Sequence, residues 1–198
     1  MVRASHILGM NARVQQYTSL NSSKAKRYGF SKLRAKKFLA KHGIPVPQLY
    51  AELDSKDELR DFDWRHISGS FAIKPSNGLA GSGIVVIAER RRDFWLDVNG
   101  QEFKENDLDL HASDILDSQY STWGSSPQVI IEERIPIHPD LAPYTQVGTP
   151  DIRVIVYRKI PVMAMVRLPT EASKGRANLH QGAIALGIDF GTGKTTKG

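Results

Sequence analysis

Hydrophobic residues recur at two spacings along the chain and predict where helices and strands lie. Apolar positions from Leu33 to Leu39 follow helical spacing, and Ser31 and Gly43 are suited to the two ends, so a helix is predicted over residues 32–42. Short apolar and β-branched runs predict strands over residues 71–74, 84–88, 129–135, 153–157, 162–167 and 183–188.

The remaining segments have weaker patterns. The pattern of residues 1–30 predicts one amphipathic helix and a turn. The charged residues 89–118 are predicted to form a solvated hairpin or helix, and the proline-containing residues 137–150 are predicted to form a loop. The four residues between the strands at 153–157 and 162–167 predict a hairpin turn. Several strands with few helices indicate an α+β fold with mostly antiparallel pairing.

Composition narrows the class of protein. The chain has 198 residues, of which 40% are hydrophobic, and this content argues against intrinsic disorder. It has no cysteine, which excludes a disulfide framework and a thiolate metal site. Because no apolar stretch approaches the roughly 20 residues needed to cross a bilayer, we expect a cytoplasmic protein without a membrane partner.

Positive charge is concentrated at the start of the chain. Residues 1–42 hold ten Lys and Arg and no Asp or Glu, although the whole chain carries a net charge of only +6. A basic segment of this kind could bind nucleic acid, but it contains few aromatic residues and no recognised nucleic-acid motif. The sequence therefore makes nucleic acid a minor alternative as a partner.

A glycine-rich loop between two predicted strands is the most specific local feature. Gly78, Gly81 and Gly83 lie between the strands at 71–74 and 84–88, and Lys74 ends the first of them. Such glycines let backbone N–H groups approach phosphate oxygens, and a lysine adds positive charge. A flexible hairpin loop without a ligand is the alternative. The later run Gly191 to Thr196 lacks the spacing of a Walker A loop.

A second polar cluster lies within the later strands. Asp151 and Arg153 are two residues apart and share one face of a strand, while Arg167 lies on the hairpin partner and could lie across from them. A salt bridge would explain Asp151 with either arginine. Arg176 and Asn178 add an arginine surplus beside an amide, which suits an anionic ligand.

Seven short motifs, taken in order, resemble the ATP-grasp superfamily. They are Ser31 to Arg34, Gly43 to Pro47, Phe71 to Pro75, the glycine loop, Ile131 to Ile135, Asp151 to Arg153, and Arg176 to Gly182. Within the superfamily the chain looks most like the α-L-glutamate ligase-like branch, which is related to enzymes that add glutamate to ribosomal proteins. The resemblance implies an α+β fold of two subdomains with mostly antiparallel sheets, the second one truncated.

The resemblance also implies a domain organisation. Residues 1–30 would be a basic N-terminal arm, residues 31–128 the first subdomain with the glycine-rich lid, residues 129–136 a hinge, and residues 137–198 a partial second subdomain.

The resemblance assigns roles to individual residues. Lys32 and Lys74 match the two lysines that contact the ATP phosphates, and Gly81, Ser82 and Gly83 match the lid over them. In the strand that matches the hinge, Glu132, Glu133 and Ile135 would contact the nucleotide.

The same comparison assigns the second polar cluster. Asp151 matches an acidic residue near the nucleotide, and Arg153, Arg167, Arg176 and Asn178 match groups that hold phosphate or the substrate carboxylate. Of these, Arg153 and Arg167 are the predicted catalytic residues, and Asp151, Arg176 and Asn178 are predicted to bind ATP.

Two departures from the family pattern affect the expected activity. Ser31 stands where aspartate is common. The carboxylates that hold Mg²⁺ in the family are expected beyond residue 198, so no residue of this chain is predicted to bind metal, and the chain is expected to be a fragment that is inactive or impaired.

The function that the resemblance implies is ATP-dependent ligation of a carboxylate to an amine through an acyl phosphate. The cofactors would be ATP and Mg²⁺, and the partners small-molecule or peptide carboxylates and amines; assembly of several copies is compatible with the sequence. The alternative is a non-catalytic nucleotide-binding or interaction module.

Overall fold

The computed structural model describes residues 9–78, 81–120, 126–145, 147–173 and 175–196. Contacts within the chain define two compact units, Met1–Val46 and Pro47–Gly198. The subdomain boundaries expected from the sequence stay predictions.

The first unit is helical. Its helices are α1 (Met10–Gln16), α2 (Ser23–Phe30) and α3 (Lys32–Lys41), with a 3-10 turn over Thr18–Leu20. The predicted helix over residues 32–42 is confirmed, and the Ser31 side chain accepts a hydrogen bond from the Arg34 N–H at 3.2 Å. The prediction of one helix and a turn before it was wrong, because Ser22 caps a second helix by accepting from the Ala25 N–H at 3.1 Å.

The second unit begins with a six-stranded sheet in which every neighbouring pair is antiparallel. Its strands are β1 (Leu49–Leu53), β2 (Phe71–Pro75), β3 (Val85–Arg90), β4 (Trp95–Asp97), β5 (Glu102–Phe103) and β6 (Val129–Glu133). The order across the sheet is β1-β6-β2-β3-β4-β5. This order places β2, which leads into the glycine loop, directly beside β6.

Two helices accompany this sheet, α4 (Lys56–Arg60) and α5 (Glu105–Leu116). Leu108, Ala112 and Ile115 of α5 are fully buried and share one hydrophobic core with Phe71 and Ile73 of β2. The segment 89–118 was predicted as a solvated hairpin or helix; it contains the β4–β5 hairpin and α5. The prediction of full solvation was wrong, because α5 presents an apolar stripe to the sheet.

A second sheet of three antiparallel strands follows, made of β7 (Asp151–Tyr157), β8 (Ile160–Leu168) and β9 (Ile184–Ile188). The predicted hairpin between β7 and β8 is confirmed, and its turn is tighter than expected. Arg158 and Lys159 both have positive φ, 47° and 70°, as in the two-residue turns that match strand twist. The α+β fold with antiparallel sheets is confirmed.

The sequence patterns missed β1 and α4. β1 has few β-branched residues and pairs with β6, far along the chain. None of the helices in the described ranges is long and apolar enough to cross a membrane.

Candidate functional site

A buried ion pair lies beside the start of the glycine loop. Alternation along β2 puts Phe71 and Ile73 in the core and Lys74 on the opposite face. Lys74 Nζ donates to Glu132 Oε1 on the neighbouring strand β6. The side chains of Lys74 and Glu132 are 20% and 5% exposed. A nucleotide phosphate that approached Lys74 would therefore compete with the buried Glu132 carboxylate for the positive charge of Lys74.

The first part of the glycine loop is held against the segment before β6. The Ser76 N–H donates to the Gln128 carbonyl at 2.9 Å, and Asn77 Nδ2 donates to the Ser126 carbonyl at 3.2 Å. A Cβ atom at Gly78 would lie 2.5 Å from Pro75 Cγ. The close packing explains why glycine is suited to this position.

The last part of the loop is fastened to α5. Gly83 has φ +72°, and a Cβ atom there would lie 2.5 Å from Tyr120 Cγ. Its carbonyl accepts a hydrogen bond from His111 Nε2 at 3.1 Å, which requires the proton on that nitrogen. Burial lowers the pKa of His111 below its ordinary value, although the Gly83 carbonyl and the Asp114 carboxylate act in the opposite direction.

The sequence prediction did not include His111 or Tyr120. Helical spacing could have indicated His111, which lies three residues after the buried Leu108. No local pattern could have indicated Tyr120, because its role depends on contact with Gly83.

An arginine from the C-terminal part of the chain lies near the middle of the loop. Gly81 has φ +77°, and a Cβ atom built there would lie 3.7 Å from Arg176 Cδ. Ser82 follows with an exposed side chain. The structure thus brings two of the predicted ATP-binding residues, Gly81 and Arg176, near each other, although they lie far apart along the chain.

Asp151 and Arg167 form a two-bond ion pair across β7 and β8. They are direct partners in the strand register. Arg167 Nε donates to Asp151 Oδ1 at 2.6 Å, and a second guanidinium N–H donates to Oδ2. These bonds raise the pKa of Arg167. The salt-bridge interpretation of Asp151 is confirmed, while the catalytic role of Arg167 and the nucleotide role of Asp151 stay predictions.

The other predicted site residues lie in less enclosed positions. Arg153 is exposed on β7, and Ile135 is 53% exposed after β6. Glu133 is exposed, and its Oε2 accepts from the Gln48 N–H at 3.1 Å. Asn178 is half-buried, and its Nδ2 donates to Gln181 Oε1 at 3.3 Å. Lys32 is half-buried at the start of α3, in the first unit.

The described residues contain no group of three or more His, Asp or Glu that could hold a metal ion. Asp189, the last carboxylate of the sequence, accepts from the N–H and hydroxyl of Thr192, both at 2.8 Å. These bonds lower the pKa of Asp189. Thr195 pairs with Ile188 in an isolated bridge, so the glycine-containing run near residue 193 forms a turn in its described part.

Comparison with known families identifies the family of the chain. The family model for sugar-transfer associated ATP-grasp proteins matches residues 12–198. The chain belongs to this ATP-grasp family. No curated protein matches it.

Membership confirms the predicted superfamily, while the nucleotide role of the glycine loop stays a prediction. The described loop fits ATP, because two of its glycines have positive φ and two cations, Lys74 and Arg176, lie at its start and middle. Membership of the ATP-grasp family supports ATP binding and, in general terms, an ATP-dependent, ligase-like activity. The glutamate-ligase-like branch stays a prediction, as do the roles of the individual residues.

Proposed function

We propose that this ATP-grasp protein joins a carboxylate to an amine through an acyl phosphate, as glutamate ligase-like enzymes do. The observation that supports the proposal is the position of Arg176 beside the glycine loop at Gly81. Arg176 adds a cation to a loop that already begins at Lys74, and clustered positive charge suits the transfer of a phosphoryl group.

In the proposed reaction a carboxylate oxygen attacks the γ-phosphorus of ATP, and ADP leaves with the electrons of the broken P–O bond. The amine nitrogen then attacks the acyl carbonyl carbon, and inorganic phosphate leaves as the amide forms and the amine loses a proton. Lys74, Arg176 and the loop amides near Gly81 and Gly83 would hold the phosphates. Arg153, exposed on β7, would orient the carboxylate.

Magnesium is part of the proposal only through the family resemblance. The described residues offer no group of three carboxylates or histidines, so no step is assigned to a metal. The family description links these proteins to sugar transfer, and candidate substrates therefore include sugar-linked carboxylates and amines as well as amino acids and peptides.

The experiment that tests this function compares two exposed arginines. Arg176→Ala is expected to weaken ATP binding about tenfold, corresponding to about 1.4 kcal/mol. Arg60→Ala, at an exposed pair on α4, is the control and is expected to leave binding unchanged. Calorimetry measures ATP affinity, and ADP release with carboxylate and amine mixtures measures turnover. A protein that binds no ATP, or equal binding by both variants, would contradict the proposal.

A second candidate is a nucleotide-binding module without turnover. It is favoured by the pairing of two predicted phosphate-binding or catalytic cations: Lys74 with Glu132, and Arg167 with Asp151. Both cations are already neutralised by carboxylates in this structure. ATP binding that depends on Arg176, together with no ADP release on any carboxylate and amine pair, would support this candidate over the ligase.

A further inference from the structure

A basic cleft lies between α2 and α3, entirely within the first unit. Lys24 and Arg27 line it from α2, and Arg34, Lys37 and Lys41 line it from α3. Spacings of three and four residues put each set on one helical face. The cleft has a volume of about 630 Å³, which is within the range of ligand sites. The helical spacing at which apolar residues usually form a stripe is thus occupied by Lys and Arg on these two helices.

Aromatic rings lie among these cations. The ring of Phe38 lies 4.7 Å from that of Tyr28 and 4.3 Å from that of His42, measured between centroids. His42 Nδ1 donates to the Phe38 carbonyl at 2.8 Å, which fixes the orientation of the imidazole. Phe38 is nevertheless 41% exposed. The cleft therefore offers an apolar ring surface next to positive charge.

The charge arrangement is unfavourable for the helices alone. Neither α2 nor α3 has an acidic residue in its first turn, where the helix dipole favours one, and both place lysines there. No Asp or Glu occurs before Glu52, so neither helix contains an internal ion pair, and the like charges along each helix face repel one another. A ligand with several negative charges would relieve this repulsion.

We infer that the cleft binds an anionic saccharide, that is, a sugar chain that carries carboxylate or phosphate groups. The cationic face from Arg34 to Lys41 extends about 10 Å, enough to meet more than one charged group of a chain. The exposed ring of Phe38 suits the apolar C–H face of a sugar ring.

The family is described as sugar-transfer associated, which makes a saccharide the first ligand class to test. The inference does not depend on the proposed ligase activity, because saccharide binding is measured without ATP.

The test is fluorescence anisotropy of the whole protein with labelled octasaccharides. Oligogalacturonate supplies carboxylates, phosphorylated malto-octaose supplies phosphates, and unmodified malto-octaose supplies neither. The expected result is binding of at least one charged chain and none of the neutral one. The double variant Arg27→Gln with Lys41→Gln is expected to lose about tenfold in affinity. The difference between the two charged probes identifies which anionic group is preferred.

The control removes the same charge from the same unit outside the cleft, through Arg13→Gln with Lys26→Gln. We expect this double variant to lose less than about threefold in affinity. Circular dichroism verifies that both variants keep their helices. Equal losses in the two double variants, binding of neither charged saccharide, equal binding of the neutral one, or tighter binding of a single-stranded DNA octamer would each overturn the inference.

Discussion

The two sheets of the second unit are built from similar sequence runs and yet differ in burial. Val129 and Ile131 of β6 are fully buried, whereas Ile152 of β7 is 64% exposed and Val156 is 56% exposed. The helix α5 covers the six-stranded sheet with a buried apolar stripe. In the three-stranded sheet, Ala164 and Val166 are the buried hydrophobic residues among the described strand positions.

The difference in burial predicts how much each of the two ion pairs contributes to stability. The Lys74–Glu132 pair lies in the six-stranded sheet, with Glu132 only 5% exposed. The Asp151–Arg167 pair lies in the three-stranded sheet, with Asp151 41% exposed. Because solvent screens exposed charges, similar pairs of residues should contribute differently to stability in the two sheets.

The largest expected effect is on core packing. Ile131→Ala removes a fully buried side chain and should lower the free energy of unfolding by about 4 kcal/mol. Ile152→Ala makes the same chemical change at an exposed position and should change it by less than about 1 kcal/mol. Chemical denaturation of both variants checks the comparison, and similar losses would show that the two sheets are buried alike.

The buried ion pair should give the next largest effect. Lys74→Met leaves the Glu132 carboxylate buried without its cation and should cost about 3 kcal/mol. Adding Glu132→Leu should recover most of this loss, since the double variant buries no charge. Lys56→Met is the control, because Lys56 and Asp117 form an exposed pair; its effect should stay within about 0.5 kcal/mol. Denaturation midpoints measure all three variants.

The pair of the three-stranded sheet should contribute less and respond more to salt. Asp151→Asn removes the charge that Arg167 binds and should cost about 1 kcal/mol at low ionic strength. In about 1 M salt this cost should shrink, while that of Lys74→Met should change little. Repeating the denaturation curves at two salt concentrations measures the contrast. If salt changed the stability cost of both substitutions equally, the two ion pairs would not differ in their exposure to solvent.

The smallest effect should appear in the pH dependence of the loop attachment to α5. The folded-state pKa of His111 is lowered, so the unfolded chain binds this proton more tightly. The contribution of His111 is therefore complete above the ordinary histidine pKa of about 6.5 and is lost as the pH falls below it.

His111→Gln keeps an amide donor for the Gly83 carbonyl but does not titrate in this range. Thermal unfolding at pH values above and below 6.5 should show a smaller decline in stability for this variant than for the original protein. If the stability of the two proteins fell equally with pH, His111 would not be the titrating group.

Local patterns predicted much of the chain because they act through nearest neighbours. Ser31 and Gly43 marked the ends of α3, and the β-branched runs marked β2, β3, β6, β7, β8 and β9. β1 was missed because its sequence has little strand preference and its conformation depends on pairing with β6. For the candidate site, the sequence identified Lys74 and Gly81 but not His111 or Tyr120, which join the site only through tertiary contacts.

The sequence by itself determined the positions of most elements, the basic first segment and the resemblance to the ATP-grasp superfamily, because each depends on residue type and order. Tertiary structure decided which strands are buried and which charges are paired. Lys74 pairs with Glu132 over a separation of 58 residues, and Arg176 lies near Gly81 from a later part of the same unit. Strand register and the packing of α5 set these contacts, and neither can be read from neighbours along the chain.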